Sequence, residues 1–341
     1  MANPRRAVRA LPVGLAAALC LFGALGATER APVGRRAVAA ATLDGIVYVS
    51  GGWNGEATQL DRVDAYDPVG RFWRPAPALG VARSQHSLVA ARGRLWAVAG
   101  WSADLGLVAE IESWAPGEAG WRTITRLPTP RREPGVALLG DRLIIAGGFN
   151  GASDADLDGY SGVVEAYDLT TGTWVSLASM PTPRRGLALV NVDGALYALG
   201  GYNADDGFLG VIERYDAGRD AWQPVNWTMA PRTWAAGLSD GEAIVLIGGF
   251  DGSGPLARVE RIDTRTETVC AMAPLRIAHS WLAAAPLPGG RALTVGGETR
   301  AGFSDAMETV SLKDPNGGDY RGWNSPAQPG NSNPRNWPCG P

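Results

Sequence analysis

The chain is poor in the residues and motifs that most enzymes and nucleic-acid-binding proteins use. Of its 341 residues, two are histidines, three are cysteines and Lys313 is the single lysine. The sequence has no Gly-x-Ser-x-Gly elbow, no phosphate-binding loop and no Cys-x-x-Cys pair, so three common catalytic motifs are excluded. The formal net charge of −3 provides no basic field for nucleic acid. We therefore expect no catalytic residue and no nucleic-acid partner.

The first 26 residues differ from the rest of the chain. Three arginines precede an uncharged run of small and apolar residues from Leu11 to Gly26. A run of about 16 residues is short for the ~20 of a membrane-spanning helix. The pattern predicts a cleaved signal peptide over residues 1–26 and a secreted or periplasmic protein with no membrane span. An uncleaved membrane anchor is the alternative.

Two cysteines, Cys270 and Cys339, follow the predicted signal peptide. An isolated pair in an oxidising compartment is often bridged, so we predict a Cys270–Cys339 disulfide, with two unrelated thiols as the alternative. Residues 325–341 are rich in proline, asparagine and glycine, which predicts an irregular tail.

A repeated pair of glycines organises the remainder of the chain. The first residues of the pairs are Gly51, Ala99 (which replaces glycine), Gly147, Gly200, Gly248 and Gly296. The intervals are 48, 48, 53, 48 and 48 residues. Each pair follows a short apolar run typical of a strand buried on both faces. Six copies of one unit must pack on one another, because a single unit cannot bury its own apolar faces.

Further markers keep their spacing from copy to copy. An acidic residue stands two positions before an aromatic or apolar one, a tryptophan follows in four copies, and an arginine comes ten residues after that tryptophan. The acids are Asp64, Glu112, Glu165, Glu213, Glu260 and Glu308. We assign the arginines as Arg35, Arg83, Arg131, Arg184, Arg232 and Arg276. Because all six copies have the acid, we predict a structural role for it, in a unit of four short antiparallel strands, a to d.

This pattern resembles the kelch repeat, whose marks are the double glycine, the tyrosine and tryptophan at this spacing, and the Pro-Arg before strand a. The resemblance covers roughly residues 31 to 312. It implies an all-β, six-bladed kelch-type β-propeller over residues 27–324, with four antiparallel strands per blade. The sequence does not identify the outer strand of blade 6, for which Asp319 to Trp323 is one candidate. Either the C-terminal tail or residues 28–33 complete that blade.

The topology places the b–c and d–a connections on one face of the ring, so residues after each glycine pair share a mouth with those after each arginine. In kelch domains that bind peptides these two positions line the pocket, so the resemblance implies a site here. After the glycine pairs these residues are Trp53, Asn54, Trp101, Phe149, Asn150, Tyr202, Asn203, Phe250 and Asp251. After the arginines they are Arg36, Gln85, Arg132, Glu133, Arg185 and Trp234.

Aromatic, amide and arginine side chains together suit two kinds of ligand. A carbohydrate stacks on aromatic faces, whereas a sugar acid or an acidic peptide is held by arginines. We predict a monomer that binds a protein, glycan or sugar-acid ligand without catalysis. The alternatives are architectural roles for these residues, an envelope or matrix protein, and a sugar-modifying enzyme. The resemblance extends to kelch propellers that interconvert sialic acid anomers, for which Arg132, Arg185 and Glu133 would be the candidates.

The 53-residue interval reflects five extra residues in the b–c loop of blade 3. Asp154, Asp156, Asp158 and Glu165 match the D-x-D-x-D-G-x5-E spacing of a calcium loop, and the carbonyl of Tyr160 would be a further ligand. The spacing predicts bound Ca²⁺, with an ordinary acidic loop as the alternative. No cofactor is otherwise required.

The two histidines, His86 and His279, each stand three residues after the arginine assigned to their repeat. We therefore predict equivalent positions on strand a of blades 2 and 6. No acid is adjacent to either histidine in sequence, which favours a structural role over a paired catalytic or metal site.

Overall fold

The computed structural model describes residues 30–313, which form a ring of six β-sheet blades. The predicted signal peptide, the C-terminal tail, Asp319 to Trp323 and Cys339 lie outside these residues. Signal cleavage and the Cys270–Cys339 disulfide therefore stay predictions. Within residues 30–313, no helix has the length and apolar character needed to span a membrane.

Blades 1 to 5 each contain four strands in the order a-b-c-d, with antiparallel neighbours, as predicted. The strands are Ala39–Leu43, Ile46–Ser50, Val63–Asp67 and Phe72–Ala76 in blade 1; Ser87–Ala91, Arg94–Val98, Glu110–Trp114 and Arg122–Arg126 in blade 2; Gly135–Leu139, Arg142–Ala146, Val164–Asp168 and Trp174–Leu177 in blade 3; Ala188–Val192, Ala195–Leu199, Val211–Asp216 and Ala221–Thr228 in blade 4; and Ala236–Ser239, Ala243–Ile247, Val259–Asp263 and Thr268–Ala271 in blade 5. The described part of blade 6 has strands a to c, Ala283–Leu287, Arg291–Val295 and Met307–Ser311.

Four of the b–c connections contain short secondary-structure elements. They are the two-residue hairpins Trp101–Ser102 with Gly106–Leu107, Tyr202–Asn203 with Gly207–Phe208, and Glu298–Thr299 with Gly302–Phe303, and a 3₁₀ helix, Leu157–Gly159, in blade 3. All of them lie on the face of the ring where the binding mouth is predicted.

The b strands are buried on both faces because each blade lies between two others. In Ala243–Ile247, Ile244 and Leu246 pack into a cluster with blade 4, while Val245 and Ile247 pack with blade 6. All five residues of this strand are buried. The apolar runs before the glycine pairs therefore supply the interfaces between blades, since a strand alternates its side chains between two sheet faces.

Contacts between the a strands and a circle of backbone hydrogen bonds close the ring. Ala39–Leu43 contacts both Ser87–Ala91 and Ala283–Leu287, and the other a strands follow in cyclic order. At the mouth, one residue from each blade accepts a bond from the next and donates to the one before, in the order Ala37, Gln85, Glu133, Gly186, Trp234 and Trp281. All six have φ between 53° and 64°, so each of the six blades contributes one equivalent residue to the circle.

The acid of strand c pairs with the buried arginine in the first five blades. The ion pairs are Arg35–Asp64 at 2.8 Å, Arg83–Glu112 at 2.6 Å, Arg131–Glu165 at 2.5 Å, Arg184–Glu213 at 3.0 Å, and Arg232–Glu260. These arginine side chains are at most 3% exposed. The predicted structural role of the acid is confirmed, because each carboxylate neutralises a charge inside the ring.

The sixth blade departs from the sequence assignment. Ser280 pairs with Glu298 as Arg36 pairs with Trp53, so the residue at the arginine position is His279. Its ring nitrogens bond the Ile277 carbonyl and the Ser304 hydroxyl, both at 2.9 Å. The assignment of Arg276 was wrong, because a histidine fills that buried position.

The predicted equivalence of the two histidines was therefore also wrong. His86 lies three residues after the arginine position of blade 2, where its Nε2 is 2.8 Å from the Ser50 hydroxyl. Burial and the charges of Arg83 and Arg35 hold the pKa of His86 well below its usual range. The two histidines consequently stand at different positions of their repeats and have different hydrogen-bond partners.

The N-terminal end of the described chain completes part of blade 6. Arg30 pairs with Ala306, and the Ala31 amide donates to the Asp305 carbonyl at 2.7 Å. In blade 2 the same bond is made by the residue after strand d, Leu127, to Ala109. Residues 30–31 thus occupy the end of the strand d position, which supports the alternative that residues 28–33 close the ring.

Candidate functional site

The mouth brings together the residues that follow the glycine pairs and those that follow the arginines. Each blade has one antiparallel bridge between the two positions: Arg36–Trp53, Ser84–Trp101, Arg132–Phe149, Arg185–Tyr202, Thr233–Phe250 and Ser280–Glu298. The predicted co-location is therefore present. The ligand-binding role of these residues stays a prediction.

The predicted site residues differ in how far a ligand could reach them. The half-buried residues are Trp53, Asn54, Gln85, Trp101, Arg185, Tyr202, Trp234 and Phe250. The exposed ones are Asn150 and Asp251, and the buried ones are Phe149, Arg132, Glu133 and Asn203. Phe149 has no exposed surface. Asn203 donates to the Pro183 carbonyl at 3.1 Å and to Asp206 at 3.0 Å. These two side chains support the mouth and do not line it.

A pocket of about 230 Å³ opens at the mouth beside blades 1 and 2. Its lining is Arg36, Ala37, Trp53, Gln59, Ser84, Gln85, Trp101, Arg132 and Trp281. The Arg36 guanidinium lies 5.0 Å from the Trp53 ring centre and pairs with Glu298. The Arg132 guanidinium lies 5.4 Å from the ring centre of Trp101. Two indole faces with guanidinium donors can bind a flat or apolar group that carries an acceptor.

Beside this pocket, two arginines converge on one carboxylate. Nη2 of Arg132 and Nη1 of Arg185 donate to Oδ1 of Asp154 at 2.6 Å and 2.5 Å. The arginine side chains are only 10% and 13% exposed, whereas that of Asp154 is 70% exposed. Both guanidiniums lie about 5 Å from the Phe149 ring centre. We call Arg132 and Arg185 the two-arginine site.

Glu133 lies beneath the two-arginine site and holds its neighbours in place. Its carboxylate accepts from Gln85 Nε2 at 3.0 Å and from Trp234 Nε1 at 2.7 Å, and Arg185 Nε is 3.9 Å away. Burial raises the pKa of Glu133, although the charges of Arg185 and Arg132 and the bond from Trp234 oppose the shift. Both oxygens are therefore engaged in positioning the surrounding side chains.

The raised pKa of Glu133 gives a test of this arrangement. Stabilisation linked to its titration is fully present below the unfolded-state pKa of 4.5 and is lost as pH rises through the higher folded-state value. We expect the stability of wild type relative to Glu133→Gln to decrease as the pH rises above 4.5, measured by urea unfolding. The exposed Glu56→Gln serves as the control. If the difference in unfolding free energy between wild type and Glu133→Gln stays constant with pH, the raised pKa of Glu133 is contradicted.

The predicted calcium ligands have other partners in the structure. Asp154 contacts the two arginines, Glu165 pairs with Arg131, and Asp156 accepts from the Asp158 amide at 3.2 Å at the start of the 3₁₀ helix. Within the described range 30–313, no three acidic, histidine or cysteine side chains are grouped as a metal site. Calcium binding stays a prediction, and it would require Glu165 to leave Arg131.

Sequence reasoning missed several residues at the mouth. Trp281 stacks on Trp234 with ring centres 4.0 Å apart, and Phe303 packs edge-on against Trp53 at 5.3 Å. The ten-residue spacing from Val269 leads to His279, which would have placed Trp281 in the register of Trp234. Phe303 follows no repeated marker.

The sequence also matches a known motif in four segments. The Kelch motif matches residues 34–80, 130–181, 183–226 and 231–276, which together make up more than half of the chain. The chain belongs to the kelch-repeat family. The matches begin shortly before strand a of blades 1, 3, 4 and 5 and end within or after strand d, so they agree with the observed blades.

Similar kelch proteins share only part of their length with this chain. It is 26% identical over 171 residues to Kelch repeat and BTB domain-containing protein 1 of Cowpox virus (strain Brighton Red). The aligned segment covers 50% of this chain and 29% of the viral protein. The chain is 26% identical over 170 residues to Kelch-like protein 25 of Xenopus tropicalis, covering 48% and 28%. The chain thus spans less than a third of these relatives.

Proposed function

We propose that this kelch propeller is a secreted or periplasmic binding protein whose mouth holds a carboxylate-bearing segment of a protein partner without catalysis. The observation that carries the proposal is the two-arginine site, where Arg132 and Arg185 already bind one carboxylate oxygen. Guanidinium groups held rigidly by their surroundings recognise carboxylates through short, charge-assisted hydrogen bonds.

Apolar side chains on the mouth loops support a protein partner. Leu105, Leu157 and Phe303 are 56%, 69% and 38% exposed. They stand on the b–c connections of blades 2, 3 and 6, on the same face of the ring as the two-arginine site. Exposed apolar groups beside polar anchors are typical of protein-interaction surfaces, and kelch propellers typically serve as protein-interaction scaffolds.

A sugar acid is the second candidate, favoured by the pocket of Trp53, Trp101 and Arg36. Its two indole faces could stack on a sugar ring while Arg132 binds the acid group. An anomer-exchanging activity receives less support, because both oxygens of Glu133 already accept hydrogen bonds. The binding experiment therefore needs both a peptide and a sugar-acid probe.

The proposal is tested by titrating the protein with a short fluorescent polyglutamate peptide, with polyglutamine as the uncharged comparison. We expect Arg185→Gln or Arg132→Gln to weaken polyglutamate binding by about tenfold or more, because each removes a charge from a largely desolvated contact. Arg219→Gln is the matched control, since Arg219 is 75% exposed at a c–d turn. Equal affinity for both peptides, or unchanged affinity in Arg185→Gln, would overturn the proposal. Glucuronate binding that needs the same arginines would instead identify the ligand as a sugar acid.

A further inference from the structure

The carboxylate in the two-arginine site belongs to a loop that no other blade has. The b–c connection of blade 3 carries the five-residue insertion and the 3₁₀ helix Leu157–Gly159. Asp154 stands at its tip and reaches across to the arginines of blades 3 and 4. The insertion therefore places one of the chain's own acids where the proposed function requires a ligand acid.

We propose that Asp154 is a built-in competitor, which occupies the ligand carboxylate position and must leave the two arginines before a partner can bind. This inference rests on the proposed function of the mouth. It predicts an unliganded propeller that is closed to weak acidic ligands and opens only to those that displace the loop.

The two sides of this contact differ in how firmly they are held. Arg132 and Arg185 are largely buried, are anchored by backbone bridges to Phe149 and Tyr202, and lie beside Glu133. Asp154 is mostly exposed, so water can solvate its carboxylate as soon as it leaves the arginines. The arginines therefore form a fixed receptor, whereas the acid can be exchanged.

The loop can release Asp154 without losing its own internal bonds. The Asn150 amide donates to the Gly159 carbonyl at 2.9 Å, and the Ala152 amide donates to Asp156 at 3.1 Å. Neither bond involves the Asp154 side chain. Displacement therefore breaks two charged hydrogen bonds and leaves the base of the loop intact, so the ligand carboxylate restores what the displacement removes.

Charge balance explains why a competitor is present at all. Two neighbouring guanidiniums repel each other in a partly desolvated site. Glu133 lies beside Arg185 from below, and Asp154 supplies a second negative charge to the two arginines while no ligand is bound. Burial raises the pKa of Asp154, but the hydrogen bond from Arg185 and the charges of both arginines outweigh this effect, so the pKa is lower than usual. The competitor is therefore ionised at neutral pH.

The test compares Asp154→Ala with Asp158→Ala in the full chain. Asp158 is exposed in the same loop, so its replacement makes the same charge change without touching the arginines. With the polyglutamate probe we expect Asp154→Ala to bind about tenfold more tightly than wild type, because the fraction of open sites rises. Asp158→Ala should change the affinity less than about twofold, through long-range charge alone.

The outcomes separate this inference from the proposed function. Affinity in Asp154→Ala that equals or falls below that of wild type overturns the competitor, while loss of binding in Arg185→Gln would still uphold the mouth as the binding site. An equal gain in both alanine variants also overturns it, since a general charge effect then accounts for the change. Absence of polyglutamate binding in wild type and Asp154→Ala alike overturns both proposals.

Discussion

Arg83→Met is expected to lower the free energy of unfolding by about 3–5 kcal/mol, because removing one partner of a buried ion pair leaves an uncompensated charge. Arg83 has no exposed side-chain surface and lies 2.6 Å from Glu112. It also donates to the carbonyls of Ala99 and Glu110 at 3.1 Å and 2.8 Å. A third bond runs from its Nε to the Val81 carbonyl at 3.3 Å. The substitution therefore removes the charged partner of the Glu112 carboxylate and the side-chain donor to three carbonyls. Guanidinium unfolding followed by tryptophan fluorescence measures the loss.

The matched control is Arg94→Met in the same blade. Arg94 pairs with Glu118 at 2.8 Å, and both side chains are more than a quarter exposed. Water can replace the lost partner, so we expect a loss of less than about 1 kcal/mol. Similar losses for the two variants would show that the buried pair carries no special share of the stability, and would contradict the structural role of the arginine–acid pairs.

The fold was predictable because its markers have local physical causes that recur in every blade. The apolar runs predict strands buried on both faces, and Ala243–Ile247 is such a strand. The acid in strand c predicts a structural partner, found as the arginine that begins the repeat. The prediction failed at blade 6, because His279 stands at the expected spacing in place of an arginine and Arg276 lies three residues before it.

The mouth was predictable in position but not in its contacts. Topology alone places Arg132 and Arg185 beside Phe149 and Tyr202. The contact of Asp154 with both arginines depends on the conformation of an inserted loop, for which the chain offers no second copy to compare. The calcium spacing of the same loop describes sequence distances, whereas Glu165 is held on strand c by Arg131. Repeated positions thus predict geometry that all blades share, whereas the conformation of an inserted loop cannot be predicted from the other blades.

Gly51→Ala is expected to destabilise the protein by about 2–4 kcal/mol, through a steric clash and a strained backbone together. Gly51 has φ of +60°, and a Cβ there would lie 2.3 Å from the Arg83 carbonyl oxygen and 2.6 Å from the His86 ring. The Arg83 carbonyl accepts a hydrogen bond from the Gly52 amide at 2.9 Å, so it cannot move away freely. Chemical unfolding of the variant measures the effect.

Blade 2 supplies the control, because Ala99 stands at the corresponding position with φ of 64°. This methyl is fully buried among Val98, Ile111 and Leu127, so the blade tolerates both the positive φ and the side chain. Ala99→Gly should change the stability by less than about 1 kcal/mol, because relief of strain offsets the lost packing. If Gly51→Ala changes the stability as little as Ala99→Gly does, the predicted steric clash is absent, and the positive φ is the remaining reason for glycine at this position. A large loss shows instead that Gly51 is required because the Arg83 carbonyl and the His86 ring of the next blade approach too closely for a methyl group.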